Sequence, residues 1–178
     1  DHLNLKAGSL HLIPASLNAD DISAIIREGY EISDLRHGFT QILKLKRLDY
    51  LFIDTHPGLD QETLLSMATT DLLFVVMRLD QQDFLGTAIN LELAKKLGVP
   101  ATYIVCNQCP GIYDFDKVKQ DVEREFSVPV ATVIPLFTRL IEIGSRQILV
   151  QVSPNHLFTQ NIDQLFKLCE SLHNGRRE

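Results

Sequence analysis

Five short strand-like runs, Leu10 to Ile13, Tyr50 to Ile53, Leu72 to Met77, Thr102 to Cys106 and Val130 to Ile134, alternate with stretches of helical periodicity. Runs this short and this apolar suit strands buried on both faces, and the stretches between them are long enough to carry the chain back to the same end of a sheet. The alternation predicts an α/β fold: an open, mostly parallel sheet with helices on both faces, a Rossmann-like three-layer arrangement. At 178 residues the chain is long enough for one such domain, residues 1–178, with roughly 70% of its unfolded surface removed from water.

The helical stretches carry their own signals. In Phe84 to Leu97 the residues Leu85, Ile89, Leu93 and Leu97 recur every four positions, a face predicted to pack on the sheet, and Gly98-Val99-Pro100 ends the run. Leu35 to Leu48 mixes Leu35, Phe39, Ile42, Leu43 and Leu45 with Lys44, Lys46 and Arg47, as an amphipathic crossover should before a central strand at Tyr50. Asp114 to Phe126 is more polar, with Val118, Val122 and Phe126 as its stripe. The last helix, Leu157 to Leu172, is expected to turn Ile162, Leu165, Phe166, Cys169 and Leu172 inward.

Composition limits the partners. A net charge of −6 opposes broad attraction to nucleic acid and leaves direct DNA binding to a local patch. The basic pair Arg176-Arg177 sits at the tail. No apolar run reaches the roughly 18 residues of a membrane span, and mean hydropathy is +0.02. Three cysteines in a chain with a sizeable core suit a reducing, cytoplasmic setting. Cys106-Asn-Gln-Cys109 has the spacing of a metal or redox pair, but a zinc site needs four ligands and no second Cys-x-x-Cys or His-x-x-x-His accompanies it. Cys106, closing an apolar strand, reads as core.

Chemistry in a parallel sheet gathers at the carboxyl ends of its strands. Tyr50-Leu-Phe-Ile-Asp-Thr-His-Pro-Gly-Leu-Asp60 puts Asp54 immediately after an apolar run and a Pro-Gly turn immediately after that. Asn107 follows another run, and Pro135, Leu136 and Phe137 follow a third. All three positions are expected to converge on one edge.

In this order the segments Leu12-Ile-Pro-Ala-Ser16, Phe52-Ile-Asp-Thr-His-Pro-Gly58, Thr70-Asp71 before Leu72-Leu-Phe-Val-Val76, Val105-Cys-Asn107 and Val133-Ile-Pro135 resemble the MinD/ParA family of P-loop ATPases. The resemblance implies a nucleotide site for ATP and Mg2+. Asp54 would be the Walker B carboxylate, holding magnesium through a water. Gly58 would offer its backbone N–H to the γ-phosphate, and Pro57 would fix the switch turn. Asn107 would read adenine, with Pro135, Leu136 and Phe137 over the ring. Plainer readings stand beside each: a helix-capping Asp54, a simple turn at Pro57-Gly58, a turn asparagine at 107. His56 is assigned no role.

The phosphate-cradling G-x-x-x-x-G-K-[ST] is not found, since none of the nine glycines precedes a lysine. With the opening at Asp1-His2, the resemblance implies the C-terminal two-thirds of a MinD/ParA-like ATPase domain, N-terminally truncated, lacking Walker A and inactive by itself. The parent is expected to be a nucleotide-dependent homodimer that positions cargo through a protein partner. Its final helix, ending Glu170-Ser-Leu-His-Asn-Gly-Arg-Arg-Glu178, lacks a basic amphipathic membrane grip. Arg78-Leu-Asp-Gln-Gln-Asp-Phe84 departs from the family's usual Thr/Pro loop. Two alternatives remain open: a non-enzymatic interaction module on the same scaffold, and a P-loop GTPase.

Overall fold

A computed structural model describes residues 8–13, 32–55, 58, 60–144 and 146–175. The chain divides into two compact units, Asp1–Leu51 and Phe52–Glu178. In the first, residues 8–13 are irregular, and α1 spans Ile32–Lys46, a 15-residue helix with Lys44 and Lys46 in its last turn, where cations complement the helix dipole.

The second unit holds the sheet. Its order is α2 (Gln61–Thr69), β1 (Leu72–Met77), α3 (Gln81–Leu97), β2 (Ala101–Cys109), α4 (Phe115–Phe126), β3 (Val130–Pro135), α5 (Thr138–Ile143), α6 (Leu149–Val152) and α7 (Leu157–Asn174). The strands form one parallel sheet in the order β1-β2-β3. The predicted open, parallel α/β fold is present, and β2 lies at its centre.

Helices cover both faces. Adjacent residues of a strand point to opposite sides. Val133 on β3 pairs with Cys106 and joins the cluster of Met77, Ile104, Cys106, Val122 and Val130, packed by Phe84 and Leu91 of α3 and Val118 and Phe126 of α4. Its neighbour Thr132 pairs with Val105 and meets α7 through Asn161 and Gln164. So α3 and α4 lie on one face and α7 on the other.

The helix ends follow from the sequence. Asp60, Asp80 and Asp114 are N-caps whose carboxylates accept backbone N–H bonds from Thr63, Asp83, and Asp116 with Lys117. Gly98, at φ 71°, supplies the left-handed residue that closes α3. The predicted stripe of α4 holds: Val122 is buried, with Val118 and Phe126 packed beside it.

Several expectations are corrected. Residues 10–13 and 50–53 carry no strand, and Leu12 and Phe52 are 86% and 71% exposed. An isolated apolar run gains strand geometry only from a neighbour that takes its backbone hydrogen bonds, and neither run enters the ladder. On α3 the sheet-facing stripe is Phe84, Thr87, Leu91 and Ala94, while Leu85, Ile89 and Leu97 are exposed. The helix has two apolar stripes, and the one with perfect four-residue spacing drifts around its surface because a turn holds 3.6 residues. On α7 the buried residues are polar, Thr159 and Asn161, and Phe166 is 45% exposed.

Candidate functional site at the carboxyl edge of the sheet

Of two register shifts between β2 and β3, the second shapes the carboxyl end of β2. Cys106 pairs with Val133 and Cys109 with Pro135, so Asn107 and Gln108 together oppose the single residue Ile134. This is the arithmetic of a β-bulge. Strict alternation would send Cys106 and Cys109 to opposite faces, yet the extra residue resets the count and both are fully buried. Gln108 pivots the change at φ 53°.

The same bulge turns two polar residues out of the ladder. Asn107 is half-buried and Gln108 exposed. The Gln108 backbone N–H donates to Asn107 Oδ1 over 2.9 Å. Immediately beside them the Leu136 N–H donates to the Cys109 carbonyl at 2.8 Å, continuing the β2–β3 pairing one residue past Pro135.

Beyond Pro135 the chain turns into α5. Leu136 is exposed; Phe137, the N-cap position of α5, is half-buried. The Phe137 ring meets His156 edge-on with centroids 4.9 Å apart and Phe158 at 6.1 Å. His156 itself caps α7, its Nδ1 accepting the Phe158 N–H at 3.1 Å. The β3 end is therefore fixed on one side by β2 and on the other by the start of α7.

The pairing thus sets Asn107 and Gln108 opposite Ile134, and Pro135 and Leu136 at Cys109, while Phe137 packs on the start of α7. Asp54 is exposed on the irregular segment leading to α2, and among the described residues it makes no hydrogen bond or ion pair. Gly58 is exposed at φ 140°, a backbone region disfavoured for other residues, with open space where a Cβ would stand. Pro57 and His56 lie outside the described residues. The helix cap near the expected switch is Asp60, not Asp54.

One feature of this edge escaped the sequence reading. Where β1 ends, the Arg78 backbone N–H and Nε both donate to Asp83 Oδ2, at 2.7 and 3.2 Å, and its Nη2 lies 3.1 Å from Asp80 Oδ2. The backbone and guanidinium bonds from Arg78 hold the Asp83 carboxyl below its usual range. Two carboxylates already sit on the N-terminus of α3, which leaves that end unsuited to a phosphate. The signal was available in Asp80-Gln-Gln-Asp83, a capping pattern three residues apart.

Cys106 and Cys109 line the core. Among the described residues no group of three His, Cys, Asp or Glu side chains could hold an ion. Burial, with the neighbouring Cys109 and Glu123 adding to it, pushes the Cys106 thiol up to about 12. Since the thiolate is the reacting form, the half-buried Cys169 is expected to react first with a thiol reagent, Cys106 and Cys109 only on unfolding. Mass mapping of the modified protein checks this; early labelling of Cys106 would refute the burial.

No protein-family model matches the chain, and no curated protein is similar to it in sequence. Among solved structures, the MinD cell division protein of Aquifex aeolicus is similar with a TM-score of 0.65 at 14% sequence identity. The match covers 79% of this chain and 61% of that one, so the chain spans less than two thirds of that protein's length. The fold is MinD-like. Among the described residues no helix is long and apolar enough to cross a membrane.

Proposed function

We propose that the chain is the base-binding and magnesium-sensing part of a MinD/ParA-type ATP switch, a cytoplasmic protein that dimerises on nucleotide and positions a protein cargo. The observation that supports this reading is the junction at Cys109, which pairs with Pro135 and accepts the Leu136 N–H, two residues beyond Asn107 on β2. Parallel α/β sheets bind ligands at that edge. A half-buried amide next to an exposed apolar turn suits a purine, which needs a polar edge and an apolar face.

Asp54 would hold magnesium through a water. Asp54 is an exposed carboxylate with no competing partner among the described residues, and Mg2+ keeps most of its waters. When bound, the ion would neutralise phosphate charge. Gly58, in a conformation that lets backbone approach closely, would then offer its N–H to the terminal phosphate. Pro57 would fix the turn between them.

This chain has no Gly-Lys phosphate loop, so its grip on ATP is weak. Titration of the isotopically labelled chain with Mg-ATP is expected to shift the amides of Asn107, Leu136 and Phe137 with a Kd weaker than ~1 mM, less than ~4 kcal/mol of binding. Asp54→Ala should remove the magnesium-dependent part of the binding and leave the AMP-induced shifts intact. Silence of all three amides would overturn the nucleotide reading.

A second reading, a non-enzymatic interaction module, is favoured by the uncovered apolar stripe of α3, Leu85, Ile89 and Leu97. Concentration-dependent sedimentation abolished by Leu85→Lys would support it.

A further inference from the structure

A strand at the side of a sheet presents a row of backbone donors and acceptors to whatever lies beyond it, and folds guard such rows with prolines, charges, bulges or covering groups. The two outer strands of this sheet are guarded unequally. β3 ends in Pro135, and Glu123 Oε1 accepts the N–H of its first residue, Val130, at 2.9 Å. β1, Leu-Leu-Phe-Val-Val-Met, holds no proline and no charge, and its pairing with β2 runs without a register shift. Only its ends are closed: Thr70 Oγ1 donates to the Leu72 carbonyl at 2.8 Å, and the Arg78 N–H just past the strand donates to Asp83 at 2.7 Å. Between those bonds, among the described residues, no hydrogen bond reaches the backbone of Leu73 to Met77 from outside the β1–β2 ladder.

The side chains add an apolar surface to the same edge. Val75 and Met77 are buried on one face of β1; Leu72, Phe74 and Val76 share the other, where Val76 is exposed and its two companions are half-buried.

We infer that the β1 edge pairs with β1 of a second copy of this chain, antiparallel about a two-fold axis, joining two three-stranded sheets into one of six strands. The strand suits itself as a partner. Residues opposite each other in an antiparallel ladder share a face, so a two-fold pairing that uses the whole strand centres on Phe74 or on Val75. Val76 then lies opposite Leu72 or Phe74 of the second copy, an apolar contact in either register. Opposite charges frame the strand, Asp71 before it and Arg78 after it. Antiparallel pairing sets Arg78 of the second copy next to the residue opposite Asp71 in both registers, and the two-fold axis repeats the match. That complementarity selects a second copy over an unrelated apolar strand. The pairing uses up both β1 edges and leaves the guarded β3 strands outermost, so association closes at two copies and requires no nucleotide.

Sedimentation equilibrium of the whole chain without nucleotide tests this, together with amide hydrogen exchange at low and high protein concentration. The wild type is expected to form a concentration-dependent dimer, with Leu73 to Met77 gaining protection as it forms. Val76→Lys puts a charge on each side of the paired edge at an exposed position; it should keep the wild-type circular dichroism and weaken the dimer about tenfold or more, and Asp71→Lys should weaken it about threefold. A monomer up to about 1 mM overturns the inference. So does a dimer that Val76→Lys leaves intact and Leu85→Lys abolishes, which would place the contact on α3. Protection of Leu73 to Met77 that does not vary with concentration also refutes it, since the edge would then be covered within one chain.

Discussion

Ile104→Ala is expected to destabilise the protein by about 3 kcal/mol and to lower its thermal midpoint by roughly 10 °C. Ile104 has no exposed surface and lies on β2, the central strand, paired to Val75 on one side and Val130 on the other. It belongs to the cluster with Met77, Cys106, Val122 and Val130, against which Phe84, Leu91, Val118 and Phe126 pack. Truncation removes three carbons from a site hemmed in by two strands and two helices. Strands held by ladder hydrogen bonds on both sides cannot close over the void, so the cavity cost adds to the lost transfer energy. Val76, one position from the β1 core and 59% exposed, provides the contrast: Val76→Ala should change stability by less than about 0.5 kcal/mol. Urea unfolding followed by circular dichroism measures both. A loss under about 1 kcal/mol for Ile104→Ala would mean that β2 is not the centre of the core.

What the sequence disclosed follows from where local and tertiary signals agree. Leu72 to Met77 and Val130 to Ile134 are strands because their apolar runs pair with a central neighbour. Asp114 and Gly98 marked helix ends by chemistry that needs no partner. The runs at residues 10–13 and 50–53 have similar composition and no ladder, since strand formation depends on a neighbour that a local window does not contain. The same limit applies to the site. Asn107 and Pro135 were visible as strand ends, and their adjacency follows once β2 and β3 pair. The bulge was not visible: nothing in Val-Cys-Asn-Gln-Cys announces that two residues will face one, or that Gln108 will be the exposed member. Nor did periodicity reveal the polar contact between α7 and β3, because a search for apolar stripes passes over Thr159 and Asn161.

That polar contact carries the second large prediction. Asn161, 8% exposed on α7, donates its Nδ2 to Thr132 Oγ1 at 3.0 Å and to the Val133 carbonyl at 3.4 Å, and Thr132 donates in turn to Gln164 Oε1 at 3.0 Å. Asn161→Asp preserves the shape and reverses the chemistry. The donor becomes a carboxylate oxygen that faces a carbonyl, and the charged residue nearest in sequence is another acid, Asp163. A buried, uncompensated charge of this kind should cost on the order of 3 kcal/mol at neutral pH. Burial disfavours the ionised form, so the introduced carboxyl has a folded-state pKa above its unfolded value of about 3.9. Between those two values the native state holds more protons than the unfolded one, and stability relative to wild type falls as pH rises. Below about pH 4 the acid is neutral in both states, one oxygen can again donate, and the variant should approach wild type. Asn161→Ala separates the causes: it loses the hydrogen bonds, by about 1 to 2 kcal/mol, with a difference from wild type that does not vary with pH. Urea midpoints of the three proteins at several values between about pH 4 and 8 decide the matter. A pH-independent deficit for Asn161→Asp would show that water reaches the site and that α7 is not sealed against β3. A deficit that grows with pH would show that the face of the sheet behind Pro135 is dry, which is what holding Phe137 in place beside His156 requires.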